Sequence, residues 1–204
     1  SLSTPDHLHD RPLDGLEFCR HDYERFDELH ANPEGGKKLR ERERPEKALV
    51  EELLPIAKYV QAFYGPGQYL SVRWVGQSQR CEAKVVSTGK LVELGQWPAH
   101  GTLEVTQALH PNDHLMRERL NTEGFAFGLD GLTKGPGKPG ERTIHSEPTG
   151  IANQSHIHPF ATLMLESIKA KAEVMARGGY PSDTTLILNC HLTTVFPLDE
   201  WDAA

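Results

Sequence analysis

Apolar residues recur along this chain at helical spacing in some stretches and at alternating spacing in others. Over Glu46–Phe63, Leu49, Leu53, Ala57 and Val60 follow one another at intervals of four, four and three, which predicts one helical stripe. Pro55 falls inside it and predicts a kink or a split, and Tyr64-Gly-Pro-Gly67 ends it. Three runs of period two follow. They are Tyr69–Val75 with Leu70, Val72 and Trp74 on one face, Cys81–Ser87 with Cys81, Ala83 and Val85, and Gly101–Gln107 with Leu103 and Val105. Gly76-Gln-Ser reads as a turn, and a longer connection holds Gly89, Gly95 and Pro98, so the three runs predict an antiparallel meander. A second helix is expected near Pro111–Asn121, with Pro111 at its first position. Phe125–Gly128 and Arg142–Ser146 are short strand candidates in a glycine- and proline-rich region. Residues 130–155 are expected to be a mobile loop. A long helix near Pro159–Arg177 carries Leu165, Ile168, Ala172 and Met175, and Thr184–Leu192 reads as a buried strand.

Residues 1–45 are broken by Pro5, Pro12, Pro33, Gly35, Gly36 and Pro45, and are expected to form an irregular N-terminal arm, either extended or in loosely packed helical turns. Residues 46–204 then make one α+β domain: a mixed central sheet with a three-strand antiparallel meander, flanked by helices. The length of 204 residues suits one such domain with an appendage. Lys and Arg number 22 against 29 Asp and Glu, a net charge of −7. That balance disfavours non-specific duplex binding by the whole body and leaves room for a local basic groove. Cys19, Cys81 and Cys190 fit no CxxC pattern and suit a reducing compartment. With no apolar run of membrane-span length and no secretory leader, a cytoplasmic protein with no membrane partner is expected.

The candidate chemistry lies on the second and third strands. Period two places Glu82 with Lys84 on one face of the second, and Thr102, Glu104 and Thr106 on one face of the third. Glu82 and Glu104 can then approach each other across the sheet, where two carboxylates repel unless a cation lies between them. Such oxygen donors suit Mg²⁺ or Mn²⁺. The plainer alternative is a polar sheet face open to water, on which glutamates need no function.

Helix, meander, an acid on the second strand, an acid-x-Lys position on the third, then helix and strand resembles the layout of the PD-(D/E)XK, or restriction-endonuclease-like, nucleases. The residues carrying the resemblance are Glu82 and, after twenty-one residues, Glu104-Val105-Thr106, within roughly residues 46–190. Glu82 stands where the family usually has Asp, and Thr106 where it usually has Lys. The resemblance implies a divergent, metal-dependent nuclease, a hydrolase of DNA or RNA phosphodiesters. It implies Mg²⁺ or Mn²⁺ held by Glu82, Glu104 and the Val105 carbonyl, with Thr106 at the lysine position and Lys84 supplying the missing cation. It also makes Glu51 or Glu52, on the first helix, a possible outer ligand, with surface charge as the alternative. A catalytically degenerate module serving binding or assembly is the competing expectation, and Thr106 and the acidic charge favour it. The oligomeric state is open, a homodimer being one option.

Other motifs carry less. His110 and His114 lack an HExxH context, and His156-x-His158 precedes a helix as loop histidines do. Gly135-Pro-Gly-Lys138 has Leu132 and Pro139 where a Walker A loop needs Gly and Ser or Thr. A mobile loop is the better reading, and reach to a phosphate backbone through Lys134, Lys138 and Arg142 is the lesser option. No serine lies in a G-x-S-x-G elbow.

Overall fold

The computed structural model of the chain describes residues 11–76, 80–138, 142–150 and 153–190. Residues 1–10 of the expected arm, most of the Gly76-Gln-Ser turn, Gly140, the end of the Thr184–Leu192 strand and the side chain of His156 lie outside the described residues. The elements in chain order are β1 (Leu13–Asp14), α1 (Gly15–His30), α2 (Pro33–Glu41), α3 (Glu46–Ala48), a π-helical turn (Leu49–Leu53) and α4 (Leu54–Phe63). They continue as β2 (Tyr69–Trp74), β3 (Ala83–Thr88), α5 (Lys90–Glu93), β4 (His100–Ala108) and α6 (Asp113–Thr122). The last are β5 (Leu132–Lys134), β6 (Ile144–Ser146), α7 (Asn153–Ala176) and β7 (Thr184–Cys190). The fold is α+β, with a mixed five-stranded sheet in the order β1-β2-β3-β4-β7 flanked by helices. The meander stands in one sheet: Val72 faces Val85 across β2–β3, and Ala83 faces Leu103 across β3–β4.

Contacts divide the chain into two compact units. The first holds the described residues up to Thr106 together with Ala170–Asn189. Its core is formed by Leu70, Val72, Ala83, Val85, Leu103 and Val105 of the sheet, packed with Phe18, Cys19, Ile56, Ala57 and Val60 of α1 and α4. The second holds Gln107–Lys169 and a smaller core of Leu115, Leu132 and Ile144.

Residues 11–45 are not an irregular arm. Asp14 caps α1 by accepting from the Leu16 N–H (2.9 Å), and Asn32 caps α2 ahead of Pro33. Proline here starts a helix rather than breaking one, and Phe18, Leu29 and Leu39 anchor both helices in the core. Gly15 sits where a Cβ would lie 2.7 Å from Val60 Cγ1 and 2.9 Å from the Leu70 carbonyl. Its missing side chain is what lets α1 begin against β2 and α4.

Pro55 neither stops the first core helix nor divides it into separate pieces. It lacks the N–H that an α-turn requires, and the preceding residues widen into the π-helical turn instead. The apolar stripe expected of the long helix is not its packed face: Leu165, Ile168 and Met175 are exposed. The covered positions are Ile157, Phe160, Met164, Ser167, Lys171 and Val174, at intervals of three and four. β7 is half-buried rather than fully buried, Phe125–Gly128 forms no strand, and α6 starts two residues after Pro111. Within the expected loop 130–155, β5 and β6 pair as a hairpin with Leu132 and Ile144 buried. Bonds from Gly135 to Thr143 (2.8 Å) and from Glu147 to Gly131 (3.1 Å) tie down its two ends.

Candidate active site

Glu82 and Glu104 come together in the first unit. Glu82 occupies a bend immediately before β3, where its backbone N–H still donates to the Leu103 carbonyl (3.0 Å). Its side chain turns toward β4, and its Oε2 accepts from the Val105 N–H (2.8 Å). The carboxyl therefore serves β4 as a neighbouring strand would, satisfying a backbone donor that burial makes obligatory.

Glu104, 6 % exposed, meets Glu82 through a side-chain hydrogen bond. Its Oε1 also accepts from the Lys171 ammonium on α7 and from the Tyr180 hydroxyl (2.9 Å). The Lys171 ammonium lies 5.7 Å from the centre of the Tyr180 ring. Burial, then the bond to Glu104, push the Glu82 carboxyl up to about 8, so that Glu82 is the member of the pair that favours its proton. Burial pulls Glu104 upward too, but the bonds from Glu82, Lys171 and Tyr180 outweigh it and hold this carboxyl below the usual range. Lys171 moves the other way: burial disfavours its charge, and the bonds to Glu104 and Tyr180 raise it above the ordinary lysine value.

A third acid stands behind the pair. Glu52, in the π-helical turn, is only 4 % exposed, and its Oε2 accepts from the Trp74 indole N–H (3.0 Å). Its negative charge is one of the influences that raise Glu82. Glu51, one residue earlier, instead faces Lys47 and Arg42 at 3.9 Å each. Of the two acids on this helix, one is a surface charge and the other belongs to the buried cluster.

Lys84 is exposed on β3, opposite Arg73 on β2 and Thr102 on β4. Glu82 lies just before the regular part of β3, and its carboxyl reaches the Val105 N–H of β4. Thr106 is half-buried two residues beyond Glu104. The cation that reaches Glu104 is Lys171, which the sequence reading did not single out. Nothing in the sequence marked it, because the covered stripe holding Ser167, Lys171 and Val174 is not the apolar stripe of the helix. Tyr180, just past the Gly178-Gly179 stop, gave no signal.

The histidines in the described residues do not join this cluster. His110 Nδ1 accepts from the Asn112 N–H (3.1 Å), its Nε2 lies 3.4 Å from Asp130, and His114 Nδ1 lies 2.9 Å from the Pro111 carbonyl. His158 is exposed, as is His145 on the hairpin. Among the described residues no three His, Cys, Asp or Glu side chains gather into a metal-holding group. Cys19 and Cys81 are buried, Cys190 is half-buried, and the three are joined by no disulfide. No helix among the described residues is long and apolar enough to cross a membrane. Comparison with protein-family models, with curated proteins and with solved structures finds no match for this chain.

Proposed function

We propose that the chain is a metal-dependent phosphodiesterase acting on nucleic acid, a divergent relative of the PD-(D/E)XK, restriction-endonuclease-like nucleases. The observation that supports this reading is the buried Glu82–Glu104 carboxyl pair, bonded side chain to side chain, beside the Lys171 ammonium. Two adjoining carboxylates retain a proton because two full negative charges repel, and a divalent cation can replace that proton. The donor set fits Mg²⁺ or Mn²⁺, which take one or two carboxylates and keep several waters. Glu82 and Glu104 would hold the ion with the Val105 carbonyl, which leaves an extended strand on the same side as the Val105 N–H bonded to Glu82. Bound there, the ion would supply Lewis acidity and a more acidic water.

Lys171 takes the part expected of Lys84 or of a lysine at Thr106. Its ammonium is fixed by Glu104 and Tyr180, and it would stabilise negative charge developing on phosphoryl oxygens. Glu52, held by Trp74, adds negative potential that favours a cation over a proton at Glu82.

One observation favours the second reading, a degenerate module for binding or assembly. Glu104 already has a cation and a hydroxyl on Oε1, which makes a closed structural network possible without metal. Calorimetric titration with Mn²⁺ separates the two, alongside cleavage assays on single- and double-stranded DNA and RNA. The nuclease reading expects Mn²⁺ binding and cleavage, both lost in Glu104→Gln, and Lys171→Met that binds Mn²⁺ but cleaves at least a hundredfold more slowly, as losing one transition-state donor does. Absence of Glu104-dependent binding overturns it, and metal binding without cleavage of any of the four substrates favours the degenerate module.

A further inference from the structure

The second unit reverses the usual partition of apolar side chains. After α6, Gly124 (φ +77°) turns the chain into Phe125-Ala126-Phe127. Of these three, the smallest is turned inward: Ala126 packs on the Leu115, Leu132 and Ile144 cluster. The two large rings are left outside, Phe125 50 % and Phe127 61 % exposed. Burial of the rings would be worth far more than burial of one methyl group.

The rings are also held in place. Their centroids lie 5.8 Å apart at 82°, edge to face. The Phe127 N–H donates to Ser146 Oγ (2.9 Å) on β6. The Arg119 guanidinium lies over Phe125, 5.2 Å from its centroid, and also donates to the Ile144 carbonyl. Ile144 faces Lys134 across the hairpin, and Lys134 is exposed. Glu118 on the same helix is neutralised by Arg142 (2.6 Å), while Glu123 stands exposed just ahead of Gly124.

We infer that Phe125 and Phe127, with Arg119 and Lys134 beside them, form a stacking surface for the unpaired bases of a single-stranded nucleic acid. The choice of ligand rests on the phosphodiesterase reading. Flat rings bordered by a guanidinium and an ammonium match the faces of bases and the phosphates that link them. A duplex keeps its base faces stacked and offers these rings little.

Fluorescence anisotropy with labelled oligo-dT and oligo-U, in EDTA so that nothing is cut, tests this. Phe127→Ala is expected to weaken binding about tenfold and the Phe125→Ala/Phe127→Ala double variant further, whereas Phe127→Trp retains it. Lys134→Ala should flatten the dependence of log affinity on log salt by about 0.7, the value for one phosphate contact on a single strand. Glu123→Gln should tighten binding by removing a like charge. Circular dichroism should match the wild type, since both rings lie outside the core. Unchanged affinity in the double variant overturns the inference. So does a wild-type chain that binds neither oligonucleotide, including one that binds phosphatidylserine vesicles through the same two rings. Mn²⁺ calorimetry separates this result from the metal site. Glu104-dependent binding retained alongside absent strand binding sinks the stacking surface alone. Strand binding through Phe127 without Glu104-dependent metal binding sinks the metal centre alone.

Discussion

At the scale of single residues, the Glu82–Glu104 pair ties stability to pH with two opposite signs. Glu82 has a folded value of about 8 against an ordinary 4.5. A raised acid lends stability that is complete below its unfolded value and disappears as pH rises through the folded one. Glu104, held low, contributes above its ordinary value and loses that contribution as the solution becomes acidic. The melting temperature of the metal-free protein should therefore fall as pH climbs from the ordinary 4.5 through about 8 and level off above it. Glu82→Gln should remove this decline, because an amide can still donate to Glu104 and accept from Val105 without ionising. A scan of melting temperature against pH on both proteins checks it. Glu104→Ala should cost about 1–3 kcal/mol in urea unfolding. It strips partners from Lys171, Tyr180 and Glu82 together.

Among the elements, the first core helix shows how a proline can be used rather than tolerated. The π-helical turn before Pro55 carries Glu52, and Trp74 of β2 meets it with an indole N–H. Trp74→Phe keeps most of the packing and removes that donor, so it should destabilise by about 1–2 kcal/mol and lower Mn²⁺ affinity if Glu52 supports the ion. Equilibrium unfolding and calorimetry on one variant report both effects. The start of α1 is a sharper steric case. A methyl group at Gly15 would meet Val60, Tyr64 and the Leu70 backbone all within 3 Å. Gly15→Ala should cost about 1–3 kcal/mol, read as a lower urea midpoint with an unchanged slope.

For the whole molecule, the two units differ in how much they bury. The first closes a core from sheet and helices. The second rests on a smaller cluster around Leu115, Leu132 and Ile144 and its partly buried neighbours. Hydrogen exchange should accordingly find the slowest amides in β2, β3 and β4, with α6, β5 and β6 opening at lower free energy. Protection in the β5–β6 hairpin equal to that of β3 would contradict this. Mn²⁺ at about a hundred times its dissociation constant should add nearly 3 kcal/mol by mass action. That gain should be confined to amides of the first unit and absent in Glu104→Gln.

The sequence by itself determined the meander and the pairing of its strands. Period-two alternation at Leu70, Val72, Ala83, Val85, Leu103 and Val105 is a local pattern, and burying one face fixes the register. It also placed Glu82 and Glu104 within reach of each other, since neighbouring strands leave few other arrangements. It did not determine residues 11–45, where prolines and glycines read as breaks. Helix formation there rests on caps and on contacts with residues more than thirty positions away, such as Cys19 with Ala57. Nor did it determine which cation serves the acids. Strand alternation pointed to Lys84, whereas the ammonium bonded to Glu104 is that of Lys171, brought in by α7 from sixty-seven residues farther along the chain. The protonation of Glu82 belongs wholly to the tertiary structure. Burial first, and the neighbouring Glu104 second, raise this carboxyl, and chain order states neither.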